Sequence, residues 1–377
     1  MKIVVPKETY HGEKRVPLIP STIAELVKRG AEVIIEAGMG IGSGFQDEDY
    51  TSVGAGVQTD RKELISSADL ICRLRVPPAE EIEWMKENAI HISFLDPFNN
   101  QSIINSLKDH RISAIAMELI PRTTKAQKMD ALSSQASLSG YVAVILAAER
   151  LDKIFPMMVT PSGTIAPSKV LIIGAGVAGL QAIATAKRLG ARVEAFDTRP
   201  AVEEQVQSLG AKFIKVELGE TGETKNGYAK ALSENQLEKQ REVMAKHCAQ
   251  SDVVITTAQI FGKKAPIIIT REMVKGMNPG SLIVDLAVET GGNVEGSVLG
   301  KEVEVNGVRI IGLENLPGYV AVHASQMYSS NLGHLIGEFW DDENKIFRLD
   351  LENEIIRSCL VTHQGNIVSE TLKNDIK

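Results

Sequence analysis

Lys169–Leu180 reads KVLIIGAGVAGL, and the organisation of the chain can be worked outward from it. A short apolar run rich in β-branched residues, Val170 to Ile173, leads straight into glycines at Gly174, Gly176 and Gly179. Apolar helical sequence follows through Leu180, Ala182, Ile183, Ala184 and Ala186. This is G-x-G-x-x-G in the context it requires, with a strand before and a helix after. Gly174 permits the tight turn, Gly176 lets backbone approach a pyrophosphate, and Gly179 lets the helix pack closely on the strand. The helix opening at Val177 and Ala178 offers free N–H groups and a partial positive charge to phosphates. An ordinary glycine turn would need neither the spacing nor the flanks.

The following strand, Ala191–Asp197 (ARVEAFD), ends on an acid at the distance where a carboxylate grips the adenosine ribose hydroxyls. Asp197 would repel a 2′-phosphate and so favours NAD(H) over NADP(H). Arg199, just beyond Thr198, argues the other way, because arginine pairs with that phosphate. Asp197 carries more weight because it stands at the strand end itself.

The whole chain narrows the classes. At 377 residues it is long enough for two domains with substantial cores. It is 44% hydrophobic and 24% charged, and 41 basic against 48 acidic residues leave a net charge of −7. That balance makes nucleic acid an unsuitable partner. Cys72, Cys248 and Cys359 are odd in number and scattered, as expected of reduced thiols in the cytosol, and no histidine pair has metal-ligand spacing. The chain opens on strand-like MKIVVP with no leader, and no apolar run is read as approaching the ~20 residues of a membrane span. No direct membrane insertion is expected; any membrane connection would come through a partner.

Residues 1–125 read as repeated strand–helix units. Strands are expected at Lys2–Val5, Ala31–Glu36, Leu70–Arg73, His91–Phe94 and Ser113–Ala116. Helices are expected at Thr22–Arg29 (capped by Ser21), Arg61–Ser66, Glu80–Lys86 and Gln101–Lys108. None of these turns carries G-x-G-x-x-G, so this region is not expected to hold a dinucleotide. Ser133–Leu151 reads as a buried helix, and Pro156–Pro167 as a turn-rich passage. Later strands fall at Phe213–Val216, Val253–Thr256, Leu282–Leu286 and Val308–Gly312, making six with the first two of that unit. A return helix, about Ala324–Phe339, would let the C-terminal residues complete the first domain. The predicted fold is α/β: two doubly wound, parallel-sheet, Rossmann-like domains separated by a cleft and joined by long helices. Residues 1–132 with 325–377 form the first. Residues 133–324 form the NAD-binding one, including the connecting helix and a mobile loop, 217–242. That loop is glycine-rich and charged. Its one aromatic, Tyr228, following Gly227, could close over a bound nicotinamide, or the segment is simply a solvated loop.

Pro6-Lys7-Glu8, Glu13-Lys14-Arg15-Val16, Leu18-Ile19-Pro20 and Gly42-Ser43-Gly44-Phe45 resemble the alanine dehydrogenase and transhydrogenase superfamily. In alanine dehydrogenases, Lys-x-Lys-Glu-Pro and Phe-Leu-His segments supply a catalytic lysine and histidine. Here the matching positions are Arg75 and Asp96. Arginine stays protonated and cannot act as a switchable base, and Asp96 has no evident partner.

Arg122, Gln127, Asp130 and Ser133 instead keep the Arg-x₄-Gln-x₂-Asp-x₂-Ser spacing of proton-translocating transhydrogenases, in the soluble NAD(H)-binding component. The resemblance implies that these four serve catalysis, holding the nicotinamide end of NAD(H) where a second nucleotide docks. It implies cofactor contacts at Arg122, Thr123, Thr124, Lys125, Gln127 and Ser133. In the glycine-loop domain it implies them at Gly174, Gly176, Val177, Ala178, Gly179, Asp197, Thr198, Arg199, Gly227, Tyr228, Ala258 and Gln259. Arg122 can fork onto pyrophosphate, Gln127 can bridge ribose hydroxyls, and Asp130 can fix Arg122. The plainer alternative is a polar helix start capped by Asp130 or Ser133.

The expected activity is direct hydride transfer between NAD(H) here and NADP(H) on a partner subunit. Proton coupling would come through a membrane-spanning subunit. A homodimer, cytoplasmic and peripheral to the inner membrane, is implied by resemblance. The rivals are an amino-acid (alanine-type) dehydrogenase using Arg15 for a carboxylate, and a non-enzymatic NADH-sensing module.

Overall fold

The structure, a computed structural model, describes residues 1–217, 219, 222, 232–260 and 262–375. The chain forms two compact units, residues 1–135 with 320–377, and residues 136–319.

In the first unit Lys2–Val5 lies at the middle of an eight-stranded sheet. Its parallel portion runs Gly56–Gln58, Glu32–Glu36, Lys2–Val5, Leu70–Cys72, Ile90–Ser93, Ser113–Ala116 across the sheet. In chain order that is 3-2-1-4-5-6, the doubly wound arrangement. Ile3, Val4 and Val5 are fully buried, the continuous apolar run of a strand covered on both faces. Two strands after the return helix, Leu360–His363 and Asn366–Ile367, extend the sheet antiparallel beyond Ser113–Ala116. Neither they nor Gly56–Gln58 are expected from sequence: each is two to four residues long, too short for a period to show.

Local signals shift some helix ends. The first helix is Pro20–Lys28, entered with Pro20 at its first turn and no side-chain cap, so Ser21 is inside it and not its cap. Proline suits that position because its missing N–H would be unpaired there anyway. The helix expected over Glu80–Lys86 is one turn, Ala79–Ile82.

The second unit repeats the order. Lys212–Phe213, Arg192–Phe196, Lys169–Ile173, Val253–Thr256, Leu282–Asp285 and Val308–Gly312 run parallel, again 3-2-1-4-5-6. An antiparallel edge strand, Lys301–Val305, adds a seventh; it alternates exposed and half-buried residues, as an edge does. The turn-rich passage at 156–167 contains a hairpin, Met158–Thr160 with Gly163–Ile165. The segment expected to be irregular to residue 242 becomes helix Glu234–Ala249, because Ser233 and Gln236 form a reciprocal capping box. Tyr228 and Gly227 lie outside the described residues.

The helix Ala131–Arg150 corrects one expectation. Its 20 residues are long and apolar enough to cross a membrane by length and composition. Val142, Ala143, Val144 and Ala147 are buried in the fold, and buried Gln135 is hydrogen-bonded. A core helix passes the same length test for that reason.

Candidate functional site

The glycine turn is fixed from three sides. Gly174 has φ +97°, and its N–H donates to the Phe196 carbonyl at 2.8 Å. A Cβ there would stand 2.5 Å from Thr257 Oγ1, the hydroxyl that donates to the Gly174 carbonyl at 3.0 Å. At Gly179 a Cβ would meet the Gly174 carbonyl oxygen at 1.8 Å, so helix and strand approach as only glycine allows. The helix Val177–Arg188 starts from Gly176 without any side-chain cap, leaving its first N–H groups for an anion. Around a Cβ on Gly176 the sole neighbour within 4 Å is the Arg199 guanidinium, at 3.9 Å.

Asp197 ends the second strand and is nearly buried. It reaches back to the turn, where its Oδ2 accepts from the Ala175 N–H at 2.7 Å. Arg199 engages the same carboxylate, Nε to Oδ1 at 2.9 Å and Nη2 to Oδ2 at 2.8 Å. Its backbone N–H also donates to Oδ1 at 2.9 Å. Thr198 is half-buried between the two.

Ala258 and Gln259 leave the end of the fourth strand, and a network that sequence reading missed shapes them. Asn293 donates to the Ala258 and Pro266 carbonyls and accepts from the Ala258 N–H at 3.1 Å. Its own backbone N–H donates to Asp285 Oδ1 at 3.2 Å, and that oxygen also accepts from the Ala287 N–H. Burial pushes the Asp285 carboxyl up, against the hydrogen bonds that lower it. The signal in sequence is Asn293 after Gly291 and Gly292, both left-handed. Gly140 is a second residue that sequence reading missed: a Cβ there would stand 2.1 Å from the Ala178 carbonyl oxygen.

In the first unit, Arg122, Thr124, Lys125 and Gln127 lie along one turn with their side chains partly or fully in solvent, while Ala126 and Met129 anchor it in the core. Asn331 pins it by donating to the Lys128 carbonyl at 2.7 Å. Thr123 stands beside Arg122 on the same turn. Asp130 does both things considered for it. It caps Ala131–Arg150, accepting from Ser133 N–H at 2.9 Å and Ser133 Oγ–H at 2.6 Å, and it lies 4.0 Å from Arg122 Nε.

The same unit closes the ends of its own first and fourth strands with charge. Glu8 accepts from the Leu74 N–H at 2.6 Å and pairs with Arg73 at 3.2 Å. Arg73, 1% exposed, also pairs with Glu81. Glu13 accepts from Arg15 at 2.7 Å and Arg75 at 2.8 Å. Burial works against the Glu13 charge, but the two guanidiniums outweigh it and hold its carboxyl at about 2. Arg15 is completed by the Gln135 side chain at 2.8 Å. Asp96 is not without a partner as expected, since Asn99 donates to both its oxygens. Glu118 accepts from the Leu95 N–H beside it, and burial pushes its carboxyl up to about 7.

Two doubly wound units, one with a built glycine cradle, define a dinucleotide-binding oxidoreductase fold, and the cradle fits a nicotinamide dinucleotide. The chain belongs to the alanine dehydrogenase/PNT family, matching its N-terminal domain over residues 4–139 and its C-terminal domain over residues 143–370. It is 45% identical to an NAD(P) transhydrogenase alpha subunit of Rhodospirillum rubrum, covering 99% of each chain. Among solved structures it resembles a transhydrogenase from Sinorhizobium meliloti at TM-score 0.85 and 42% identity, covering 98% of this chain and 100% of that one. It also resembles an L-alanine dehydrogenase at TM-score 0.84 and 25% identity, covering 100% and 99%.

Proposed function

We propose that this chain is the NAD(H)-binding component of a proton-translocating transhydrogenase. It would exchange hydride directly with NADP(H) held by a partner subunit, and a membrane-spanning subunit would couple the transfer to protons. The observation that carries the reading is the contrast at the strand ends of the two units. One offers a glycine cradle ending on Asp197; the other is closed by Glu8, Arg73, Glu13, Arg15 and Arg75. Arg15, which an amino-acid dehydrogenase would present to a substrate carboxylate, already carries Glu13 and Gln135.

Gly174, Gly176, Val177, Ala178 and Gly179 hold the pyrophosphate of NAD(H), and Asp197, Thr198 and Arg199 bear on its adenosine ribose. Ala258, Gln259, Gly227 and Tyr228 border the rest. The bound nicotinamide supplies the hydride donor or acceptor, so the protein needs no group that ionises in turnover. Arg122, Thr123, Thr124, Lys125, Gln127 and Ser133 orient the cofactor, with Asp130 fixing Arg122. Their contribution is approximation of two reactants. Residues 1–132 with 325–377, and 133–324, are the functional halves. The chain works as a homodimer on the cytoplasmic side of the inner membrane, peripheral through its partners. The apolar hairpin, with Met158, Val159 and Ile165 exposed, supports association with a second chain.

The test is to mix the purified chain with a transhydrogenase NADP(H)-binding component and assay transfer from NADPH to an NAD⁺ analogue. Transfer is expected. Tight NADH binding without transfer would leave the sensing module as the better reading, and oxidation of L-alanine with NAD⁺ would favour the dehydrogenase.

A further inference from the structure

The four hydrogen bonds on Asp197 have a consequence for ligand choice. A carboxylate has about four lone-pair positions. Oδ1 receives the Arg199 N–H and Nε–H, both at 2.9 Å, and Oδ2 receives the Ala175 N–H at 2.7 Å and Arg199 Nη2 at 2.8 Å. A ribose diol brings two more donors to an acceptor already saturated. Two of the present donors are backbone N–H groups fixed by the turn. The other two belong to one guanidinium on a flexible stem, and it lies at the edge of the glycine loop, 3.9 Å from a Cβ on Gly176.

We infer that Arg199 is an exchangeable latch on Asp197: its guanidinium leaves the carboxylate when an adenosine ribose diol takes those positions, and it thereby sets nucleotide affinity and selectivity. This rests on the reading of the glycine loop as an NAD(H) site. Two opposed effects follow. Against NAD(H), the latch competes with the diol and lowers affinity. Against a 2′-phosphate, it neutralises Asp197 and softens the repulsion. Arg199 is thus a specificity-determining residue that trades tight NADH binding for weaker discrimination.

The experiment titrates the full chain and Arg199→Met with NADH, with its 2′-deoxyadenosine analogue and with NADPH, following nucleotide fluorescence. Methionine keeps much of the stem and removes the donors. NADH should bind about fivefold to tenfold more tightly to Arg199→Met, the deoxy analogue should gain less than half as much, and NADPH should weaken. Unchanged or weaker NADH binding would overturn the latch, as would equal gains for NADH and its deoxy analogue. The unaltered chain gives a second readout that does not depend on the variant folding. By NMR, exchange of the Arg199 Nε–H with solvent should speed up at saturating NADH, and unchanged or slower exchange would overturn the proposal. Absence of NADH binding by the unaltered chain would instead remove the underlying reading and the latch with it.

Discussion

The two sheets share one strand order and treat the same place in opposite ways. In each, the first and fourth strands are neighbours, and the crevice beyond their carboxyl ends is where open α/β sheets bind ligands. In the second unit that crevice is lined by Gly174–Gly179 and the Thr257–Gln259 turn, with backbone N–H groups and open space at Gly176. In the first unit it is filled by buried carboxylates and guanidiniums: Glu8 with Arg73, and Glu13 between Arg15 and Arg75. Topology therefore provides a site without deciding that it is used. Local chemistry decides it, by leaving the backbone bare in one unit and neutralising side chains in the other.

If the plug is structural, breaking it should be costly for folding and harmless to nucleotide binding. Glu13→Gln is expected to lower unfolding stability by about 3–5 kcal/mol, because it leaves two guanidiniums short of a partner. NADH affinity should stay within a factor of about two; urea unfolding and a fluorescence titration on the same sample check both. The charge state of Glu13 gives the pH dependence. Its folded value, about 2, lies below the ordinary 4.5. Its stabilisation is therefore present above about 4.5 and lost as pH falls toward about 2, with about 2 kcal/mol gone by about pH 3. The Glu13→Gln chain should lack that component of the acid slope.

The cradle should show the reverse pattern. Gly179→Ala puts a methyl where the Gly174 carbonyl oxygen stands 1.8 Å away, so NADH binding is expected to weaken by about 100-fold or more. Retained affinity would mean that the turn is not the anchor. Gln127→Asn sharpens the division of labour. On an exposed turn it should slow hydride transfer by about 10-fold to 100-fold while leaving NADH affinity near normal. A large affinity loss with normal transfer would show its role to be wrongly assigned. The smallest effect is expected at Ser133→Ala, which removes one hydrogen bond from Asp130 and about 1 kcal/mol or less of stability. A transfer defect there beyond the stability loss would mean that Ser133 touches the cofactor.

Much of the cradle was legible because its information is local. The spacing of Gly174, Gly176 and Gly179 and the acid at the next strand end all fall within one strand–helix–strand unit. Apolar runs such as Val253–Thr256 and Ser113–Ala116 likewise declared themselves. Strands of two to four residues at the sheet edges did not, because so short a segment has no period. The fixing of Ala258 by Asn293, 35 residues away, left only a glycine pair as its trace.

From its sequence alone the protein was a two-domain α/β chain carrying one dinucleotide loop, with an arginine and an aspartate where an alanine dehydrogenase has its lysine and histidine. Those are statements about residue type and spacing, and the order of residues along the chain suffices for them. The tertiary structure decided which charges meet. Arg73 finds Glu8 across 65 residues and Arg15 finds Gln135 across 120. Asp197 is saturated by Arg199 and the Ala175 N–H. Ion pairs and shared lone pairs depend on distances of a few ångströms, and only the folded backbone sets those.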